Sequence, residues 1–207
     1  MPKRDFDKEA ASWDSPVRTA LAGTVTEAIL RQVELTPEMD VLDFGCGTGL
    51  VTLRLAPLVR SVTGVDTSAG MLQVLRAKLL AQNIGNVQAE LLNTQGELVL
   101  PGEYHAIVSS MTLHHVEDVL GLLRKFHQAL LPGGRVAVTD LDLEGGRFHE
   151  NNDGVFHFGF DRARLQSWFA VAGFNEIRHV TATTIFKPST DNNIQEFPVF
   201  LLTASRQ

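Results

Sequence analysis

The chain has 207 residues, of which 44% are hydrophobic and 20% are charged. This length and composition predict one globular domain with a well-filled core. The formal net charge is −6 and no run of Lys and Arg stands out, so a nucleic-acid partner is not expected. The single cysteine, Cys46, cannot form an internal disulfide, and the charged N-terminus lacks a secretory signal. No apolar stretch is long enough to span a bilayer, so we expect a cytoplasmic protein.

The first predicted element is a helix that begins with Ser15 as its cap and Pro16 in its first turn, and that runs to about Glu34. Short apolar runs without alternation follow, a pattern typical of strands buried on both faces of a parallel sheet. Helical patterns separate these runs, with Ser68 and Asp161 as predicted caps. The predicted strands are residues 41–44, 62–65, 87–92, 106–110 and 135–139.

The alternation of strands and helices predicts a doubly wound α/β sheet with right-handed crossovers. The end of the chain departs from this alternation. Residues 176–186 and 197–205 are two strand-like runs with no helix between them, which predicts an antiparallel pair.

The stretch "VLDFGCGTG", residues 41–49, predicts a strand that ends in a ligand-binding glycine loop. The dinucleotide fingerprint G-x-G-x-x-G fails here by one residue, because Leu50 stands where the third glycine is needed. Asp43 lies two residues before the first glycine, where its carboxylate would repel a pyrophosphate. A ligand that carries an ammonium and a sulfonium would be attracted instead. S-adenosylmethionine carries both groups and no phosphate.

Four motifs in order resemble those of the class I S-adenosylmethionine-dependent methyltransferases, in the small-molecule branch that is similar to the ubiquinone/menaquinone methyltransferases. They are "VLDFGCGTG", "VTGVDTSAGML", "YHAIVSSMTLHHVED" and "LLPGGRVAVTD". The resemblance implies a Rossmann-like, doubly wound, seven-stranded sheet, mostly parallel with an antiparallel C-terminal strand pair. It implies S-adenosylmethionine as cofactor and a single domain over residues 1–207, in which residues 1–35 form a helical lid or, alternatively, a plain packing helix.

The resemblance also assigns residues to the cofactor. Asp43 would neighbour the methionine amino group, and Asp66 would accept hydrogen bonds from the ribose hydroxyls. Alternatives stay open: the glycines could serve packing, Asp66 could cap the next helix, and Met71 could fill the core. The remaining implied cofactor residues are Gly45 and Gly47, Cys46 as a small residue between them, Thr67 and Met71 beside the adenine, Asn93 where the family often has an aspartate, and Ser109 and Ser110 beside the methyl donor.

Candidate catalytic residues are histidines, because imidazole can remove a proton from an acceptor near neutral pH. His114 and His115 follow the fourth strand, and His149 and His157 lie in a phenylalanine-rich segment after the fifth, over the ligand edge of the sheet. The alternative is that these histidines hold loop backbone and the phenylalanines are ordinary core. No acidic metal cluster is evident, so no metal site is predicted. The fourth strand carries "SSMT" at its end and no Asn-Pro-Pro-Tyr-like tetrad, which speaks against amino methylation of nucleic acids or glutamine.

The predicted function is therefore methyl transfer to a small-molecule acceptor, with no membrane partner. A different class of protein, one that binds S-adenosylmethionine without transfer as a sensor or partner subunit, is the alternative. A nicotinamide-dependent oxidoreductase is disfavoured by Leu50 and Asp43. The acceptor and the oligomeric state are not predicted, because this fold carries many substrates on variable segments.

Overall fold

A computed structural model describes residues 5–93, 98–188 and 193–207 of the chain. Its seven strands form one sheet. The strands are β1 (Asp40–Phe44), β2 (Ser61–Asp66), β3 (Val87–Leu91), β4 (Tyr104–Ser110), β5 (Leu130–Leu141), β6 (Asn175–Pro188) and β7 (Ile194–Ser205).

The strand order is β3-β2-β1-β4-β5-β7-β6. Strands β1 to β5 pair in parallel, and β7 lies antiparallel between β5 and β6. The predicted mostly parallel sheet and its antiparallel C-terminal pair are both confirmed. The order reverses at β1 and β4, so the carboxyl ends of these two strands flank the crevice in which such sheets bind ligands.

Helices cover both faces of the sheet, and three of them begin at the predicted caps. The side chains of Ser15, Ser68 and Asp161 each accept a hydrogen bond from a backbone N–H of the first turn. The first predicted helix ends at Gln32, slightly before the expected Glu34. The helices are α1 (Phe6–Glu9), α2 (Pro16–Gln32), α3 (Thr52–Leu55), α4 (Ala69–Ala81), α5 (Val119–Ala129) and α6 (Arg162–Val171), with 3-10 turns at Ala10–Ser12, Ala56–Leu58 and Leu113–His115.

Two hydrophobic clusters lie on opposite faces of the sheet. Val41 of β1 packs in the cluster that contains Ile29 of α2, and the next residue, Leu42, packs in the cluster that contains Phe126 of α5. Because successive strand residues point to opposite faces, a strand covered on both sides must be apolar at every position. This explains the unalternating runs in the sequence.

Strand β5 is longer than the sequence pattern predicts. Strand β5 begins at Leu130 rather than Arg135, and its pairing with β4 shifts register between Tyr104 and Ala106. Beyond β5, an isolated parallel bridge joins Asp142 to Phe160. Residues 143–159, between these two positions, form a loop at the ligand edge of the sheet. In the described ranges, no helix combines the length and the apolar character needed to cross a membrane.

Candidate functional site

The glycine loop after β1 has a left-handed backbone at Gly45, Gly47 and Gly49, with φ values of 73°, 53° and 85°. A Cβ on Gly45 would lie 2.3 Å from the side chain of Thr112, and a Cβ on Gly49 would lie 2.4 Å from Leu75. The absence of a Cβ at these two glycines permits close packing, which is the alternative role that the sequence analysis left open for them. A Cβ on Gly47 would meet only the indole nitrogen of Trp13, 4.0 Å away. Gly47 therefore borders open space.

Asp43 lies beneath this loop and is 1% exposed. Its Oδ2 accepts a hydrogen bond from the Thr52 hydroxyl at 2.6 Å. Burial raises the pKa of Asp43 to about 6, with a further contribution from the negative charge of Asp66 and an opposing one from the Thr52 hydrogen bond. A cation beside this carboxyl would be favourable, because it would stabilise the buried charged form.

Asp66 ends β2 and fixes the backbone around it. Its Oδ2 accepts from the Gly47 amide at 2.8 Å, and its Oδ1 accepts from the Ser68 amide at 2.9 Å. The cap of α4 is Ser68 itself, whose hydroxyl accepts from the Met71 amide at 3.1 Å. Burial raises the pKa of Asp66, and these backbone bonds oppose the increase. A carboxylate has about four lone-pair positions, so Asp66 retains acceptor capacity towards a ligand.

Three more predicted cofactor residues have structural contacts of their own. Met71 is 2% exposed, as a core residue would be. The Ser109 hydroxyl donates to the Phe44 carbonyl oxygen at 2.9 Å within the sheet. The Ser110 hydroxyl accepts from Thr139 at 3.1 Å.

The other three predicted cofactor residues differ in exposure. Thr67 and Asn93 are exposed at the same edge of the sheet. Cys46 is buried, and its sulfur would lie 3.0 Å from a Cβ on Gly64. Burial raises the pKa of this thiol well above its usual value, which fits a packing residue and not a nucleophile.

The N-terminal segment, residues 5–15, lies against the glycine loop and the start of α4. Asp7 Oδ1 accepts from the Gly70 amide at 2.7 Å and from the Ser68 hydroxyl. Asp14 accepts from the Thr48 hydroxyl and forms an ion pair with Lys78. These contacts join positions more than thirty residues apart, so the sequence carries no local signal for them. Residues 1–4 of the predicted lid lie outside the described residues.

Three histidines meet beyond the end of β4. His114 is 2% exposed, and its ring centroid lies 4.1 Å from that of His115 and 5.1 Å from that of His149. His114 Nδ1 lies 2.7 Å from Oδ1 of Asp140, at the end of β5. Burial would raise the pKa of Asp140, but the attraction and hydrogen bonds of His114 outweigh it and hold that pKa below its usual value. We call His114, His115 and His149 the histidine cluster.

Sequence analysis did not assign a role to Asp140, although it closes the quoted motif "LLPGGRVAVTD". Its position at the carboxyl end of β5 parallels that of Asp66 at the end of β2. The sequence feature that could have identified Asp140 is an acidic residue at the end of a buried strand.

His157, the third candidate catalytic residue, lies apart from the cluster. Its Nε2 lies 3.0 Å from the carbonyl oxygen of Val116 and can donate a hydrogen bond to it. Its ring packs against Phe160, with centroids 5.1 Å apart, and against Trp168 at 6.3 Å. These contacts connect the segment after β5 to the loop after β4.

The histidine cluster and the glycine loop border each other. The ring of Phe6 meets His115 edge-on at 5.1 Å and Trp13 at 5.7 Å, and Trp13 is the residue beside Gly47. Thr112, two residues before His114, packs its side chain on Gly45. The same crevice therefore has a carboxylate-lined glycine loop on one side and imidazoles on the other.

Comparison with known proteins gives a consistent assignment. A family profile described as "Methyltransferase domain" matches residues 17–180. An uncharacterised methyltransferase of Schizosaccharomyces pombe is 35% identical over 120 residues, which cover 55% of this chain and 42% of that protein. A ubiquinone biosynthesis O-methyltransferase of Pseudomonas aeruginosa is 29% identical over 102 residues, which cover 49% of this chain and 44% of that protein. The chain thus matches less than half the length of each of these two relatives.

A solved structure has the same fold. It is phosphoethanolamine N-methyltransferase 2 of Haemonchus contortus in complex with S-adenosyl-L-methionine, with a TM-score of 0.71 and 16% identity. The superposition covers 89% of this chain and 52% of that one.

Proposed function

The chain belongs to the methyltransferase family, and from this we propose that it transfers a methyl group from S-adenosylmethionine to a small-molecule acceptor. The observation that carries the proposal is Asp43, a carboxyl buried under a glycine loop whose middle glycine, Gly47, borders open space. A buried carboxylate favours a cationic ligand. The methionine end of the donor supplies an ammonium and a sulfonium to such a site.

The other contacts support the same orientation of the donor. Asp66 presents a carboxylate at the end of β2, the strand next to that of Asp43, and would accept hydrogen bonds from the ribose hydroxyls of the same molecule. Thr67 and Met71 follow it and would flank the adenine, with Asn93 two residues beyond the end of β3. The solved structure with S-adenosyl-L-methionine bound has this fold, which supports the choice of donor.

Methyl transfer from a sulfonium is an in-line displacement, so the protein chiefly aligns donor and acceptor and excludes water. We place the acceptor beside the histidine cluster, because the cluster borders the loop through Phe6, Trp13 and Thr112. His149 and His114 are the side chains that we place next to the acceptor's reacting atom. The ubiquinone relative and the phosphoethanolamine enzyme are both named for small acceptors, which supports that substrate class.

Two measurements test the proposal. Calorimetry is expected to show one site that binds S-adenosylmethionine and its demethylated product and that does not bind a nicotinamide dinucleotide. Mass spectrometry of a metabolite extract, incubated with the protein and a methyl-labelled donor, is expected to reveal a labelled small molecule. Donor binding without any labelled product would favour the sensor or partner-subunit alternative, and nicotinamide binding alone would refute the donor assignment.

A further inference from the structure

The histidine cluster has the geometry of a metal site. One ligand nitrogen from each of His114, His115 and His149 can be chosen so that the three atoms lie within 4.8 Å of one another. Nitrogens at about 2.1 Å from a tetrahedral ion are about 3.4 Å apart, so small ring rotations would bring all three onto one ion.

Hydrogen bonds to the opposite ring nitrogens define which atoms face the centre. His114 Nδ1 lies 2.7 Å from a carboxylate oxygen of Asp140, and His115 Nδ1 lies 2.8 Å from the carbonyl oxygen of Gly154. Both partners only accept, so Nδ1 carries a proton in each ring, and in the neutral ring Nε2 is the nitrogen whose lone pair can bind an ion. Metal-binding histidines usually show this arrangement, with the second nitrogen donating to a carboxylate or a backbone carbonyl.

The partners of these histidines are themselves fixed. Asp140 is fully buried and also accepts from the backbone amides of His114 at 3.2 Å and Leu141 at 2.7 Å. Its carboxylate therefore cannot rotate freely, and it holds the His114 ring in one orientation.

The third histidine is positioned by its neighbour in sequence. Phe148 packs edge-on against Phe197 of β7, with centroids 5.3 Å apart. Its amide donates to the Glu144 carboxylate at 2.7 Å, and its carbonyl oxygen accepts from Lys187 Nζ at 2.6 Å. These contacts anchor the backbone that directs His149 towards the other two rings.

We infer that His114, His115 and His149 bind one divalent transition-metal ion, of the Zn²⁺ or Co²⁺ class that imidazole ligands favour. Three protein ligands leave a fourth position open, which is the pattern of catalytic rather than structural sites. The use of that position rests on the proposed function: we assign it to an oxygen of a hydroxyl-bearing acceptor.

The metal-bound hydroxyl would lose its proton to solvent, because a bound ion lowers the pKa of a coordinated oxygen. The resulting oxygen anion then forms a bond to the methyl carbon as the bond from that carbon to the donor's sulfonium breaks. The sulfur retains the electron pair and leaves as the neutral thioether of S-adenosylhomocysteine.

The test measures metal binding without donor or acceptor. Untagged protein, stripped with a chelator, is dialysed against Zn²⁺ or Co²⁺ and its metal content is measured by mass spectrometry. We expect one ion per chain, and a visible absorption band of tetrahedral Co²⁺. His115→Ala and His149→Ala are expected to lower the affinity about a hundredfold or more, and Asp140→Asn about ten- to a hundredfold. His179→Ala, which removes an exposed histidine of β6, is the matched control and keeps the wild-type affinity.

Circular dichroism of each variant separates loss of a ligand from loss of the fold. The inference is overturned if the wild type binds no stoichiometric ion, or if folded His149→Ala binds as tightly as the control. Because the assay contains no methyl donor, its result is independent of the proposed function. One ion per chain in a protein that methylates nothing would support the site and count against the methyltransferase activity.

Discussion

At the glycine loop, residues only two positions apart have different tasks. Gly45 and Gly49 lack room for a Cβ, because Thr112 and Leu75 occupy the adjacent space. Gly47 has that room, and its amide is the one that donates to Asp66. The motif predicts all three glycines, but only the packing around them separates those that permit close contact from the one that borders the ligand space.

Gly47→Ala is therefore the substitution that tests the donor site with least damage. The added methyl would project into the space beside Trp13, so we expect donor affinity to fall at least about tenfold, or about 1.4 kcal/mol. The left-handed backbone at Gly47 adds about 1–2 kcal/mol of strain. Valine would be a poorer choice, because a β-branched residue at positive φ is a severe outlier.

Gly133→Ala provides the control. Gly133 has a φ of 80°, and no atom lies within 4 Å of the position that a Cβ would take there. It therefore shares the strain of Gly47 but lies near the start of β5, between the residues that pair with Tyr104 and Ala106 of β4. Calorimetry and thermal unfolding of both variants check the prediction. Equal donor affinities in the two variants would show that Gly47 does not border the donor.

Asp66→Asn tests the ribose assignment. The amide keeps an acceptor oxygen for one of the two backbone amides that Asp66 binds. It removes the charge, so the charge-assisted bonds to the ribose are lost. We expect donor affinity to fall about ten- to a hundredfold, equivalent to about 1.5–3 kcal/mol. Glu90→Gln, on the adjacent strand β3, is the control and should bind the donor normally. Unchanged affinity in a correctly folded Asp66→Asn would remove the ribose role.

His149→Ala is expected to slow methyl transfer about a hundredfold or more while donor affinity stays close to wild type. The reason is its place in the histidine cluster beside the donor loop. His157→Ala should act mainly on stability, because that side chain supports the Val116 carbonyl and packs on Phe160. Methyl-transfer rates of both variants, measured with the acceptor found in the extract experiment, check this prediction. His179→Ala is the control. A larger rate loss in His157→Ala than in His149→Ala would assign the catalytic role to His157 and the structural role to His149.

At the scale of elements, the predicted helices depend on local chemistry. Ser15, Ser68 and Asp161 each satisfy a free amide of the first turn, and that signal lies within four residues of the helix start. The early start of β5 at Leu130 depends on pairing with Tyr104 of β4 instead. A pattern of apolar residues along one strand cannot contain that information.

The N-terminal segment is an element whose role depends on what it contacts. Asp14 links it to the glycine loop through Thr48 and to α4 through Lys78. We expect Asp14→Ala to increase hydrogen exchange in residues 5–15 and to weaken donor binding several-fold, with little loss of global stability. A packing helix without a lid function would instead lose stability and keep its donor affinity. Glu27→Ala, which removes only an exposed ion pair with Arg31, is the control.

At the scale of the whole molecule, Asp43 sets a balance between stability and ligand binding. Its pKa is about 6 in the folded protein, against an ordinary value of 3.8. Between these pH values the folded state binds more protons than the unfolded state, so the free energy of unfolding decreases as pH rises. Above pH 6 the Asp43 carboxyl is charged in both states, and the cost of burying that charge lowers the free energy of unfolding by about 3 kcal/mol.

Asp43→Asn removes this titration. We expect the stability of the variant, relative to wild type, to improve steadily from pH 4 to pH 6 and to level off above it. Asp40→Asn is an internal control of opposite sign, because the Arg60 hydrogen bond lowers the pKa of Asp40 to about 2. Its carboxylate contributes stability above pH 4 that disappears as pH falls through 2. Denaturant unfolding across this range checks both trends, and parallel curves for the Asp43 variant and wild type would contradict the first.

Donor binding should have the opposite pH dependence. The ammonium of the donor needs a charged Asp43, so affinity is expected to fall about tenfold for each pH unit below 6. Above about pH 8 the α-amino group of the donor loses its own proton and affinity falls again. Calorimetry from pH 5 to pH 9 measures this bell-shaped profile, which should flatten on its acidic side in Asp43→Asn.

The sequence by itself determined the sheet class, the helix caps and the glycine loop, because each depends on residues close together in the chain. Periodicity reports which faces are buried, and a strand that ends in glycines and an aspartate predicts a ligand edge. Only the tertiary structure decided which polar side chains meet. Asp140 approaches His114, and His149 joins them from a separate segment, because parallel strands deliver distant residues to one edge of the sheet. No local pattern encodes that convergence, since it depends on strand order and on the packing of Phe148 against Phe197.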